Sequence, residues 1–178
     1  MSGSDGGGRA GPRRLLGIDL GERRIGVALG DVETHSAAPL TTLSRARTTD
    51  EDARVLARLA EEQRADGLVV GLPLNSDGSE SPQAVRTRDW AAAVARSTGL
   101  PLRLRNEYLS SVRAEGRIGA PARGKSGGPP SAAQRDAHRA RIDREAAALI
   151  LQDDLDATTG MAEVRPPGEG RVAERGTS

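Results

Sequence analysis

The sequence predicts a single α/β domain in which helices flank a mixed β-sheet. Two observations carry this. Short apolar runs alternate with stretches of helical periodicity, in the order hairpin, helix, strand, helix, strand, helix. A chain of 178 residues with 36% hydrophobic content also points to one core of ordinary size.

Residues 15–20 and 25–30 are short apolar runs around the polar turn Gly-Glu-Arg-Arg, the pattern of an antiparallel hairpin. Residues 50–63 place Val55, Leu56, Leu59 and Ala60 on one helical face, behind Thr48, Thr49 or Asp50 as cap. GLVVGLP, from Gly67, is a buried strand. Ser81 before Pro82 opens a second helix, which Gly99 closes. PLRLR, from Pro101, is another strand, residues 110–118 a short helix and 141–156 a longer final helix. The domain thus spans 14–156, between tails at 1–13 and 157–178 that are too poor in core formers to order. Within it, the Gly-, Pro- and Arg-rich stretch 119–141 is expected to be a flexible basic loop.

Three acids stand out against this frame. Asp19 interrupts an apolar strand; alternation puts it on one face with Leu15 and Gly17, with Leu16, Ile18 and Leu20 on the other. An unpaired carboxylate there is very costly, so it is paired with Arg23 or Arg24, hydrogen-bonded to backbone, or bound to a cation. Asp143 lies in line with the apolar stripe of the final helix, at i+4 and i+7 from Ala147 and Ile150, although a first-turn Asp also serves as a cap or dipole partner. Glu107 sits at the tip of a strand, where α/β sheets assemble ligands. Three converging carboxylates repel one another unless cations join them; Mg²⁺ or Mn²⁺ relieves that repulsion and supports two-metal phosphodiester hydrolysis. Asp154 falls near the same stripe, but eleven residues of helix, about 16 Å, keep it from sharing an ion with Asp143.

Composition narrows the field. There is no Cys and there are two His, which excludes disulfides and makes a zinc cluster improbable. With no Phe, one Tyr and one Trp, base-stacking platforms are scarce, and Trp90 reads as core or rim packing. Lys125 is the only Lys among 26 basic residues, and the segment 113–144 carries eight basic residues against three acids, a local +5 that attracts phosphate backbones. No apolar run reaches a membrane span and no signal peptide is evident, so the expected location is the cytoplasm, without a membrane partner.

The stretches GIDLGERRIGVALGD, DGLVVGLPLNSDGSESPQA, NEYLSS and IDREAAALIL resemble the four signature blocks of the YqgF family, also called RuvX-type Holliday junction resolvases or pre-16S rRNA nucleases. The resemblance covers about residues 14 to 156 and implies an RNase H-like fold with a mixed five-stranded sheet. It implies that Asp19, Glu107 and Asp143 form the catalytic, metal-holding triad for two Mg²⁺ or Mn²⁺ ions. Arg24, Asn75, Arg123 and Lys125 are the residues expected to bind nucleic acid. The implied task is processing the 5′ end of pre-16S rRNA. Resolution of Holliday junctions is one alternative, and a catalytically impaired RNA-binding factor another; a monomer or homodimer would suit. Asn106 and Tyr108 stand where the family's third block has Asp and Arg, which leaves the triad intact but implies a less negative site and the loss of a phosphate contact. The strand-turn-strand DLGERRIGVA is also similar to the phosphate hairpin of actin-like and sugar kinases, but the second domain and second phosphate loop those proteins need are not found.

Overall fold

A computed structural model of the chain describes residues 12–107, 110–123 and 127–162. Its elements are β1 (Arg14–Leu20), β2 (Arg24–Asp31), β3 (Ser36–Ser44), α1 (Thr49–Gln63), β4 (Gly67–Leu72), α2 (Pro82–Thr98), β5 (Leu102–Asn106), α3 (Ser110–Ile118) and α4 (Ala132–Ala162). The five strands form one sheet in the order β3-β2-β1-β4-β5. β1 and β2 make the expected hairpin, β3 pairs antiparallel to β2, and β4 and β5 continue parallel to β1. The C-terminal ends of the three parallel strands therefore share one edge of the sheet.

The helices divide between the two faces. On one, Leu16, Ile18, Ile25 and Val27 pack against Leu56 of α1 and Trp90 and Val94 of α2. Trp90 is core, as its sequence context suggested, and its Nε1 donates to Asp52 Oδ2 at 3.0 Å. Buried Asp52 also accepts from Arg45 Nε at 3.1 Å and from the Ala46 amide at 2.8 Å, so one carboxylate ties α1 and α2 to the chain leaving β3. On the other face Leu15, Ala28 and Val69 meet Ala147, Ile150 and Leu151 of α4. Thr48 caps α1 with a reciprocal bond to Glu51, and Ser81 caps α2 ahead of Pro82.

Two segments differ from the sequence reading. β3 was not anticipated as a strand: Pro39 at its centre has no amide hydrogen, and the register skips a residue between Val27 and Ala28 of β2. Such a segment is tolerated at the outside of a sheet, which is where β3 lies. The final helix is also twice its expected length. Residues 132–141 are its opening turns and not part of an irregular loop, and its far end runs to Ala162. A capping box starts it: the Gln134 amide donates to Ser131 Oγ at 3.1 Å, and the Ser131 amide to Gln134 Oε1 at 2.8 Å. Asp143 therefore sits in the helix interior, where neither capping nor the helix dipole explains it.

Glycines let α4 lie unusually close. A Cβ at Gly17 would come within 2.6 Å of the Leu151 Cβ, and one at Gly26 would strike the carbonyl of Asp143 itself. The helix is thus seated by its backbone at the level of the acid. Gly26→Ala should cost at least about 2 kcal/mol, since the obstacle is main chain and cannot rotate away. Urea denaturation checks this; a change within about 0.5 kcal/mol would mean the helix can shift freely.

Candidate active site

Asp19 is the penultimate residue of β1, on the face that carries Leu15 and Gly17 against α4. Glu107 follows β5 directly, its amide donating to the Leu72 carbonyl at 3.1 Å at the end of β4. The topology brings the two acids to the same edge, and their carboxyl groups hydrogen-bond to each other. Room for this depends on Gly71, where a Cβ would lie 2.6 Å from Glu107 Oε2.

The electrostatics are those of crowded carboxylates. Burial pushes Asp19 well above the usual carboxylate range, and the charges of Glu107 and then Asp143 push it further, as does its hydrogen bond with Glu107. Burial also raises Glu107, while the bond with Asp19 works in the opposite direction. Both carboxyls are thus harder to ionise than free ones, Asp19 the more so.

Arg24 does not neutralise Asp19. Its Nε donates to Asp143 Oδ2 at 2.6 Å and its Nη1 to Asp136 Oδ1 at 2.8 Å. Asp136 stands on a helical turn that no apolar stripe in the sequence announces, so its pairing with Arg24 is not legible there. Asp154 is fully buried between Arg103 and Arg105, with Arg105 Nε at 2.6 Å, and takes no part in the site.

The donor set suits a hard divalent cation. It is all oxygen, and a positive ion would remove the cost of ionising Asp19 beside Glu107. Asp143 spends one oxygen on Arg24, and among the described residues no three acidic or imidazole side chains already enclose a common point. A carboxylate that is a quarter exposed can turn from the guanidinium to an ion.

The other expected contacts are dispersed. Asn75 lies in the loop after β4, where its Nδ2 donates to Ser79 Oγ at 2.9 Å and Gly78 takes the positive φ the turn requires. Arg123 is exposed and its carbonyl accepts from Gln134 Nε2 at 3.3 Å, which places it beside the start of α4. Lys125 and Tyr108 lie outside the described residues.

A family model described as RuvX, Holliday junction resolvase, matches residues 13–157. The chain belongs to the RuvX family. A relative from Anaeromyxobacter sp. (strain K), named as a candidate pre-16S rRNA nuclease, is 42% identical over 143 residues, covering 80% of this chain and 96% of its own. One of the same name from Rhodopseudomonas palustris (strain TIE-1) is 42% identical over 146 residues, covering 80% and 82%. The structure of T. thermophilus RuvC in complex with a Holliday junction substrate aligns with 83% of this chain and 96% of that one at 14% identity and a TM-score of 0.47, too distant a likeness to bear on function. Family membership accords with the resemblance of the four motif blocks, and the mixed five-stranded sheet is the one that RuvX resemblance implied. None of the described helices is long and apolar enough to cross a membrane.

Proposed function

We propose that this RuvX-family chain is a divalent-metal-dependent nuclease that hydrolyses phosphodiester bonds, with the 5′ end of pre-16S rRNA as its substrate. The observation that supports the reading best is the hydrogen-bonded, hard-to-ionise pair Asp19 and Glu107 at the shared strand edge, within the field of Asp143. Asp19, Glu107 and Asp143 would hold Mg²⁺ or Mn²⁺, in a two-ion arrangement. Bound there, the metal supplies Lewis-acid stabilisation of phosphoryl oxygens and a more acidic water. The remaining work falls to the chain. Asp19 and Glu107, both harder to ionise than a free carboxyl, would hold the ion as carboxylates. Arg24, exchanging Asp143 for the substrate, gives its guanidinium fork to a phosphate oxygen. Arg135 and Arg139, one helical turn apart on the exposed start of α4, and Arg123 beside it extend a positive surface along the approach.

The test is cleavage of single-stranded and precursor RNA with Mg²⁺ or Mn²⁺, wild type against Asp19→Asn. Metal-dependent cleavage by wild type alone supports the proposal; no cleavage with RNA binding retained would favour an RNA-binding factor, the reading that Asn106 and Tyr108 raise. Arg24→Ala should raise KM for RNA roughly tenfold, the loss expected for a charged hydrogen bond. An unchanged KM would leave Arg24 as a purely structural partner of Asp143. The family description favours one second reading, Holliday junction resolution, which wants a two-fold dimer. Light scattering that gives a monomer, together with no cut in four-way DNA, would remove it.

A further inference from the structure

A second concavity lies on the opposite face of the sheet, round the same edge as the acids. It has a volume of about 520 Å³ and is bounded by the end of β1, the β1–β2 turn, and the first halves of α1 and α2. Asp19 and Leu20 are consecutive and point to opposite faces, so Asp19 looks toward α4 while Leu20 forms part of this wall. The volume falls within the range of small-ligand sites and suits a single nucleotide.

Its lining is chemically mixed. Gln83, Arg86, Thr87 and Trp90 fall at i, i+3, i+4 and i+7, so α2 presents them along one stripe. Thr87, 2% exposed, brings a hydroxyl-bearing side chain to the wall of the cavity. Arg86 is exposed and makes no ion pair among them, whereas Arg45 is already spent on Asp52 and on the Gly21 carbonyl at 3.0 Å. Glu22 and Asp89 add carboxylates at the mouth. A site for a bare anion would not carry these acids, and an apolar site would not carry the arginine. A ligand with an anionic group and hydroxyl donors satisfies both, and a ribonucleotide has phosphate for Arg86 and ribose hydroxyls for a carboxylate.

We propose that this cavity is a nucleotide subsite that takes one unpaired ribonucleotide of the substrate strand as it crosses the sheet edge from Asp19. The identity of the strand rests on the nuclease reading above. The site itself can be tested without cleavage, because Trp90 is the only Trp in the chain and lines the cavity wall.

The experiment titrates the full-length protein with cytidine 5′-monophosphate and, separately, its 2′-deoxy counterpart, following tryptophan emission. Saturable change with the ribonucleotide, weakened roughly tenfold in Arg86→Ala and also in the near-isosteric Thr87→Val, is the expected result. The deoxynucleotide should bind more weakly. Persistence of the response in Asp19→Asn separates this subsite from the acidic centre: cleavage can fail while binding holds. A flat emission signal to millimolar nucleotide, or a response that Arg86→Ala leaves unchanged, overturns the proposal, as does equal binding of the two sugars for the ribose assignment.

Discussion

Asp19→Asn should reduce metal-dependent cleavage at least about a hundredfold while making the metal-free protein more stable at neutral pH. The activity loss follows from several kcal/mol of charge stabilisation that depend on an ion at that oxygen. The stability gain follows from the crowding: wild type must ionise a buried carboxyl beside Glu107 and within the field of Asp143. An amide removes that charge, a relief of about 1 kcal/mol of the kind seen when a destabilised active site is neutralised. The pH dependence has a definite sign. Because Asp19 is raised above its unfolded value, its contribution to stability is complete below about pH 4 and is lost as pH climbs through the folded value. The stability difference, wild type minus Asp19→Asn, should therefore fall from acid to neutral pH. Mn²⁺ should raise the Tm of wild type, increasingly so at higher pH, and leave Asp19→Asn nearly unmoved. Denaturation at pH 5 and pH 8 with and without Mn²⁺ measures all of this. A variant less stable than wild type at both pH values, with the Mn²⁺ shift intact, would mean that Asp19 is structural.

Asp154→Ala should produce the largest loss of folding stability, about 3 kcal/mol. Asp154 has no exposure and accepts from both Arg103 and Arg105 of β5, while Arg103 Nε is buried with no partner among the described residues. Removing the acid strands two guanidinium groups at the seam between β5 and α4. The cost lies at the lower end of the range for broken buried pairs because both arginines are about a third exposed and can reach water. In a chain of this size that corresponds to a Tm lower by about 6–12 °C. The triple variant R103M/R105M/D154L should recover most of it, because no charge is left to desolvate. A single variant within about 1 kcal/mol of wild type would show that this ion cluster contributes little.

What could be read from the chain depended on whether a feature obeyed a local period. Asp19 was conspicuous because it broke an apolar strand, and its side of the sheet followed from alternation. Glu107 was visible as the acid at a strand tip. Asp143 is visible by its place on a helical stripe, but the helix that precedes it is not. The ten residues before Arg141 have alanine as their only apolar type and follow two prolines, so no stripe of large apolar residues announces a helix; the Ser131-Ala-Ala-Gln134 cap is the one local cue. β3 was hidden because Pro39 and its small neighbours satisfy no strand template. Partners distant in sequence were out of reach altogether: Arg24 and Asp143 are 119 residues apart, and Asp154 and Arg103 are 51 apart. Such pairs arise only from strand order, which the periodicity of single segments does not contain. The cavity beside Trp90 was equally hidden, since one wall comes from a β-turn and another from two helices.

Pro39 carries a consequence beyond its own strand. β3 is the outermost strand on its side, and a proline at its middle, next to an irregular register, offers a neighbouring molecule an interrupted ladder of amide donors. Two copies of the domain are thus discouraged from fusing their sheets into one continuous ribbon along that border. Any pairing of protomers on a two-armed nucleic acid would have to be made away from that border, through the β5 edge, through helices or through the substrate itself.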